Sequence, residues 1–343
     1  MENPFSLTFG QIPTEMISRD NQLNQIIDIF EMERPTNHVF MIAGIRGSGK
    51  TVSLSDVSDH FAKKDDWVVI NLNPDSDMIK DSVSEINRIS GMDKIDISAN
   101  INIPVAGSVT IRNEQTELTE SSKLKIMLDQ IANKHKRVLF VIDEILSNEY
   151  IKVFTGQFQI WLREGRPVYL IMAGMYENIS NLQNEKTLTF LYRATKIVLK
   201  PLNIPAIAAR YQKIFDISSE EASVMAKATK GYSFAFQILG YLKWEEKKPL
   251  DELLPDYDAA LAEYSYYKIW SELSPKDKQI SKIIASGKTK IGEIREELHV
   301  SSQYMNVYRN RLIASGIVSG DARGELVFAL PRFENYIKLY GEL

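Results

Sequence analysis

Apolar residues run almost without interruption over residues 38–43, 67–72, 138–142 and 168–172, with a shorter run at 197–199. Continuous runs of strand length suit strands buried on both faces, as in a parallel sheet. Segments with helical spacing separate them, for example 49–62, 77–90 and 121–135. The alternation predicts an α/β fold over roughly residues 38–200, a parallel sheet flanked by helices. Residues 95–111 break the pattern: apolar and polar positions alternate around Pro104 and Gly107, which predicts an inserted β-hairpin.

After Pro201 the strand signals stop. Residues 204–215, 218–229, 233–244 and 257–273 carry apolar positions at helical spacing, and Ser218 with Glu221 has the form of a capping box. A small helical lid is expected over 201–271. Beyond it, 276–285 and 291–298 read as short helices, and Ser301 or Ser302 caps a longer one ending at Ala314. Residues 317–319 and 325–329 are strand-like and flank a turn from Gly320 to Gly324. Three helices and a hairpin are the outline of a winged helix-turn-helix, expected over 272–343.

The turn after the first strand reads Gly44-Ile45-Arg46-Gly47-Ser48-Gly49-Lys50-Thr51. This is G-x-x-x-x-G-K-T between a predicted strand and a predicted helix, the context that a phosphate-binding loop requires. Its glycines let backbone N–H groups cradle phosphate oxygens, and the helix adds its positive end. Lys50 is placed to reach the β- and γ-phosphates, and Thr51 to offer its hydroxyl to Mg²⁺. The strand at 138–142 ends in Asp143-Glu144. Ligands gather at the carboxyl ends of parallel strands, so Asp143 is expected to hold Mg²⁺ through water and Glu144 to activate the attacking water. A strand that merely ends in a polar turn is the bland alternative. The expected cofactors are ATP or ADP with Mg²⁺. Arg193 ends a helical stretch before the strand at 197. It could reach a γ-phosphate in a neighbouring subunit, or only neutralise a helix end.

The chain of 343 residues is 44% hydrophobic and 25% charged, as ordinary globular proteins are. Its net charge of −4 means that any basic surface is local. There is no cysteine, which excludes disulfides and thiolate zinc sites. The N-terminus lacks the basic-then-apolar pattern of a secretory leader, and no run is long enough for a membrane span. A cytoplasmic protein without membrane contact is expected. Residues 272–343 hold eleven Lys and Arg against nine Asp and Glu, a net +2 that leaves −6 for the remainder. In the longest C-terminal helix Met305, Tyr308 and Leu312 share an inward face, while Gln303, Asn306, Arg309 and Asn310 project elsewhere. With Arg323 at the turn, these are groups that can meet bases or phosphates of double-stranded DNA. A solvated face on a protein-docking domain is the alternative.

In this order the parts resemble the AAA+ ATPases of the initiator, origin-recognition-like branch, and a broad group of prokaryotic ATP-binding proteins with the same module. The resemblance rests on Asn3-Pro4-Phe5, Phe9-Gly10 with Pro13, Ile17-Ser18-Arg19-Asp20, the phosphate loop and Asp143-Glu144. It continues through Ala173-Gly174, Ile179-Ser180, Thr187 to Phe190, Arg193-Ala194, Gly231-Tyr232, Gln237 and Gly240-Tyr241. It implies that Ile17 and Arg19 lie over the adenine and that 201–271 closes over the nucleotide. Two departures stand out. The fourth core strand ends in Ala173-Gly174-Met175 without the polar sensor 1 residue, and the lid helix after Gly231-Tyr232 lacks the sensor 2 arginine. The Gly231-Tyr232 start is more like the lid of STAND-type signalling NTPases. Three functions follow as expectations: an ATP-dependent DNA-associated protein, a slow switch whose winged helix meets protein, and a nucleotide-binding structural subunit. Assembly with itself or with another protein is compatible with each.

Overall fold

The structure, a computed structural model, describes residues 2–8, 13–89 and 118–342. The predicted hairpin at 95–111, with Phe9 and Gly10, lies outside the described residues. The chain opens with α1 (Asp20–Glu31), β1 (Val39–Ala43), α2 (Lys50–Ala62), β2 (Trp67–Leu72) and α3 (Met78–Ile89). It continues with α4 (Glu120–Asn133), β3 (Arg137–Ile142), α5 (Glu149–Arg163), β4 (Val168–Gly174), α6 (Tyr176–Gln183) and β5 (Thr195–Val198). The five strands form one parallel sheet in the order β2-β3-β4-β1-β5.

The expected α/β architecture is what the chain adopts, and burial explains why. The three inner strands are covered on both faces. In β1, Val39, Met41 and Ala43 face one apolar layer and Phe40 and Ile42 the other. In β4, Val168, Leu170 and Met172 alternate in the same way with Tyr169, Ile171 and Ala173. Residues from α3, α4, α5 and α6 fill the first layer, and residues from α1 and α2 the second. Two-sided burial leaves no polar position in a strand interior, hence the uninterrupted runs.

A helical region follows: α7 (Ile204–Phe215), α8 (Ser219–Ala228), α9 (Ser233–Glu246), α10 (Leu250–Leu261) and α11 (Tyr267–Glu272). Ser218 caps α8 through the Glu221 N–H at 3.1 Å, but the Glu221 carboxylate accepts from Lys243 at 2.8 Å, so only half of the capping box forms. A π-helical turn, Ala262–Tyr266, joins α10 to α11. The helix expected at 257–273 therefore begins earlier, at Leu250, with Pro255 inside it, and widens before it ends.

The last part holds α12 (Pro275–Ala285), α13 (Ile291–Leu298), α14 (Ser302–Ala314), β6 (Val318–Ser319), β7 (Val327–Phe328) and α15 (Phe333–Tyr340). The two strands pair antiparallel, and Lys290 bridges Glu325 to extend the ribbon. Helices from the preceding helical region, the expected lid, and from this part share one apolar core, which also takes in Phe5 and Ile45. Among the described residues no helix is long and apolar enough to cross a membrane.

Candidate nucleotide site

The chain leaves β1 at Ala43 and must start α2 at Lys50. It does so through Gly47 and Gly49, whose φ angles of +73° and +91° are strained for any side chain. Gly47 meets a second demand, because a Cβ there would lie 2.9 Å from the Phe234 Cβ. Gly49 occupies the N-cap of α2 and offers no side-chain acceptor. The first N–H groups and the positive end of α2 are thus left for another partner.

Lys50 Nζ donates to the Ile45 carbonyl at 3.1 Å and lies 3.9 Å from Met175 Sδ. Burial pulls its pKa down to about 8, against the opposing pull of Asp143 and Glu144. Thr51 Oγ1 donates to Asp143 Oδ2 at 2.6 Å. The other oxygen of Asp143 accepts from the Glu144 N–H at 2.8 Å. Glu144 has φ of +51°, a left-handed conformation that costs a non-glycine residue about 1 kcal/mol. The turn is pinned by the Ile145 N–H, which donates to the Ala173 carbonyl at 2.9 Å. Gly174 makes room for it, since a Cβ there would sit 2.8 Å from Ile145 Cγ1.

These groups open on a cleft of about 1250 Å³. The start of α9, in the expected lid, grips the loop from behind. Tyr232 donates its hydroxyl hydrogen to the Arg46 carbonyl at 2.6 Å, the Phe234 N–H reaches the Gly47 carbonyl at 3.0 Å, and Ser233 Oγ the Ser48 carbonyl at 2.9 Å. Three successive carbonyls are therefore held on the lid side, and the N–H of each trans peptide points the opposite way. Ser48 Oγ and Arg46 Nε are buried without a hydrogen-bond partner. Orphan donors next to a cationic lysine suit a polyanion, because unpaired buried donors are costly until an acceptor arrives. Thr51 and Asp143 offer one hydroxyl and one carboxylate, the small protein share that Mg²⁺ takes when phosphates and water complete its shell.

Of the residues singled out in the sequence, Ile17, Arg19, Arg46, Gly47, Gly49, Lys50, Thr51, Asp143 and Glu144 line this cleft. Gly44, Ile45 and Ser48 do not: all three are buried, and the Ile45 side chain packs in the core shared with the C-terminal helices. Arg19 is a bracket, donating to the Ser48 carbonyl at 2.9 Å, to Ser233 Oγ at 3.0 Å and to the Lys200 carbonyl. Burial holds its pKa down to about 10. Among the further lining residues that sequence reading did not assign to the site are Asn178, Lys268 and Glu272. Asn178 follows the unpolar end of β4 by one helical turn, a spacing that could have drawn attention to it.

The Asn3-Pro4-Phe5 segment and Gln237 prove to be one device. Gln237 accepts from the Ser6 N–H at 3.1 Å and donates to the Glu15 carbonyl at 2.7 Å, while Phe5 fills the space beside Gly240. This straps the N-terminal segment along α9.

The remaining predicted residues lie elsewhere. Arg193 is exposed at the end of a short 3-10 turn, Thr189–Arg193, with no hydrogen bond or ion pair among the described residues. It is the last residue of that 3-10 helix, just before β5, as expected, and both roles considered for it stay open. On α14, Gln303, Asn306 and Asn310 are exposed, and Ser301 supplies the cap at 3.2 Å. Met305 and Leu312 are buried as expected, whereas Tyr308 stays at the edge beside Tyr304, 3.1 Å between hydroxyls. Arg309, expected on the outer side, is half-buried: its Nη2 lies against Gly320, 3.2 Å from where a Cβ would stand. Arg323 is exposed between β6 and β7.

A family described as a domain of unknown function (DUF8462) matches residues 264–337. No curated protein matches the sequence. The fold is similar to that of the Walker-type ATPase PABY2304 of Pyrococcus abyssi, with a TM-score of 0.63 and 14% identity over 94% of this chain and 96% of that one. It is also similar to the ORC2 protein of Aeropyrum pernix in its ADPNP–ADP complexes, with a TM-score of 0.59 and 15% identity over 98% and 96%. A third likeness is to Cdc6p from Pyrobaculum aerophilum, with a TM-score of 0.50 and 16% identity over 98% and 97%. In architecture, then, the fold of this chain is similar to that of these three proteins over nearly the whole of its length.

Proposed function

We propose that the chain binds Mg-ATP in the cleft between its sheet and its lid and couples that state to association with double-stranded DNA. The observation that carries the nucleotide half is the Lys50–Thr51–Asp143 arrangement at the carboxyl ends of the inner strands, beside two orphan donors. ATP brings the phosphates these groups would hold. The backbone of Gly44–Thr51 and the Lys50 ammonium take the negative charge, Thr51 and Asp143 the metal, and Ile17 the face of the base. Glu144 is the carboxylate available to accept a proton from water. The ADPNP–ADP complexes of the similar ORC2 protein favour the same ligand class.

In this reading residues 201–271 are the lid and 272–343 a winged helix. Gln303 and Asn306 would meet base edges, and Arg309 and Arg323 the phosphates. Titrating duplex DNA with the full chain tests the reading. Affinity should differ between Mg-ATP and no nucleotide, and should fall steeply with salt. Binding too weak to separate from that of other acidic proteins, in both states, would remove the DNA half.

One observation favours the rival, a STAND-like switch with slow hydrolysis and a protein partner. The lid meets the phosphate loop with Tyr232 and Ser233, and α9 brings no arginine to the cleft. A lid bolted to the loop by neutral groups is suited to holding a state. Turnover below one per minute together with stoichiometric nucleotide retention would move the switch ahead.

A further inference from the structure

The lid supplies the cleft with little positive charge. The basic residue of α9 is Lys243, and it is tied to Glu221 at 2.8 Å and to the Lys248 carbonyl at 2.9 Å. Lys268 of α11 lines the cleft but pairs with Glu272 at 3.3 Å. The guanidinium of Arg19 is committed to carbonyls and to Ser233. Arg46 is different. Its side chain lines the cleft and its Nε is buried without a hydrogen-bond partner. Among the described residues its guanidinium has no ion pair, and it stands close enough to Lys50 to oppose that lysine's charge. Two neighbouring cations, one of them unpaired, are unfavourable until an anion joins them. A guanidinium also matches phosphate oxygens in a fork, as an ammonium does not.

The backbone of the same residue leads out of the cleft. The Arg46 carbonyl accepts from Tyr232, whose oxygen shares a 2.7 Å hydrogen bond with Ser265 Oγ. Ser265 is buried in the π-helical turn, and such turns recur where a helix must shift. Its neighbour Tyr266 donates to the Pro331 carbonyl and packs edge-on against Phe333, with ring centroids 4.9 Å apart. A hydrogen-bonded and packed path thus runs from the loop to the C-terminal helices.

We infer that Arg46 is the triphosphate sensor of this protein: its guanidinium takes the γ-phosphate of bound ATP, and its carbonyl hands the resulting shift to the C-terminal helices through Tyr232 and Ser265. The inference rests on the nucleotide reading above, and it adds the group that tells ATP from ADP and the route by which the difference leaves the site. The full chain, as wild type and as Arg46→Gln, Tyr232→Phe and Ser265→Ala, is titrated calorimetrically with a non-hydrolysable ATP analogue and with ADP. Backbone amide exchange over residues 291–330 is followed in each complex. Arg46→Gln should lower affinity for the analogue on the order of tenfold, the loss of one charge-assisted contact, and leave ADP affinity unchanged. Tyr232→Phe and Ser265→Ala should keep the preference for the analogue but erase the exchange difference between the two complexes. Equal losses for both nucleotides in Arg46→Gln would overturn the sensor. An exchange difference that survives both relay variants would overturn the route. If the wild type binds neither nucleotide, the nucleotide reading itself falls before any variant is compared, and the sensor falls with it.

Discussion

The phosphate loop and the outer face of α14 both present polar groups to an open space, but they are held in different ways. In the loop the backbone does the work: positive φ at two glycines, three carbonyls gripped by the lid and an uncapped helix start fix the donors before any ligand arrives. On α14 the helix is regular and the side chains of Gln303, Asn306 and Asn310 are exposed. A ligand must order them at a cost in rotamer entropy. The first region is therefore specific about the shape and charge of its ligand, and the second adapts. Substitutions should cost much in the one and little in the other.

The largest expected effect is at Lys50. Lys50→Ala removes the ammonium from a partly dry site in which phosphate charge has few other partners. Mg-ATP affinity should fall by roughly two orders of magnitude with little change in melting temperature. Near-normal affinity in a folded variant would erase the contrast between the two regions.

Next comes Glu144. Glu144→Gln keeps the size of the side chain but cannot take a proton from water, so ATP binding should persist while hydrolysis slows about a hundredfold. Single-turnover kinetics would show it, and an unchanged rate would remove Glu144 from the chemistry. Arg193 is a middle case, because it lies beside the parallel sheet yet is as free as the α14 side chains. If it acts across a subunit boundary, specific activity rises with protein concentration, and mixing Arg193→Ala with Lys50→Ala restores part of it. Activity independent of concentration, with no complementation, would leave Arg193 as a surface charge.

The smallest effects belong to the C-terminal face, and they sharpen the comparison by differing in kind. Arg323→Ala should weaken DNA binding for all sequences and make the plot of log K against log[salt] shallower by about one unit. Asn306→Ala should leave that slope alone and relax preference at one base position by ~1–3 kcal/mol. Arg309→Ala should change the slope less than Arg323→Ala does, because Arg309 is half-buried against Gly320. Point variants suit this face better than removal of residues 272–343. The lid and the C-terminal helices share one core, so the cut would expose Ile280, Ile284 and Phe333 together with their partners on the lid.

What was legible in the sequence follows the same division. Gly44–Thr51 and Asp143-Glu144 could be read because backbone turns and strand ends demand particular residues at fixed spacing. The grip of Tyr232 on Arg46 could not, since those residues stand 186 positions apart and the bond depends on how the lid docks. Long-range docking also hid the bracket role of Arg19, which meets Ser233 across 214 positions, and the inward packing of Ile45. Helix α15 was overlooked although Phe333, Tyr336 and Ile337 repeat at helical spacing, because the winged-helix outline ends with its hairpin. Pro255 masked the start of α10, where the tertiary contacts of Leu253 and Tyr257 outweigh the missing hydrogen bond. Arg309 was misplaced because helical spacing gives the face on which a residue starts, and a long side chain can fold back onto a neighbouring loop.

The most direct measurement is a calorimetric titration of Mg-ATP into the full chain at pH values from 7 to 9, in pairs of buffers that differ in ionisation enthalpy. In the empty cleft burial holds the Lys50 pKa down to about 8, and bound phosphates favour the charged form and raise it. Affinity should then be level below pH 8 and fall above it, because the neutral lysine must take up a proton to bind. Saturable one-to-one binding is expected, with proton uptake that grows across this range and disappears in Lys50→Ala. Absence of binding, or binding whose proton count is the same with and without Lys50, would contradict the placement of the nucleotide against this loop.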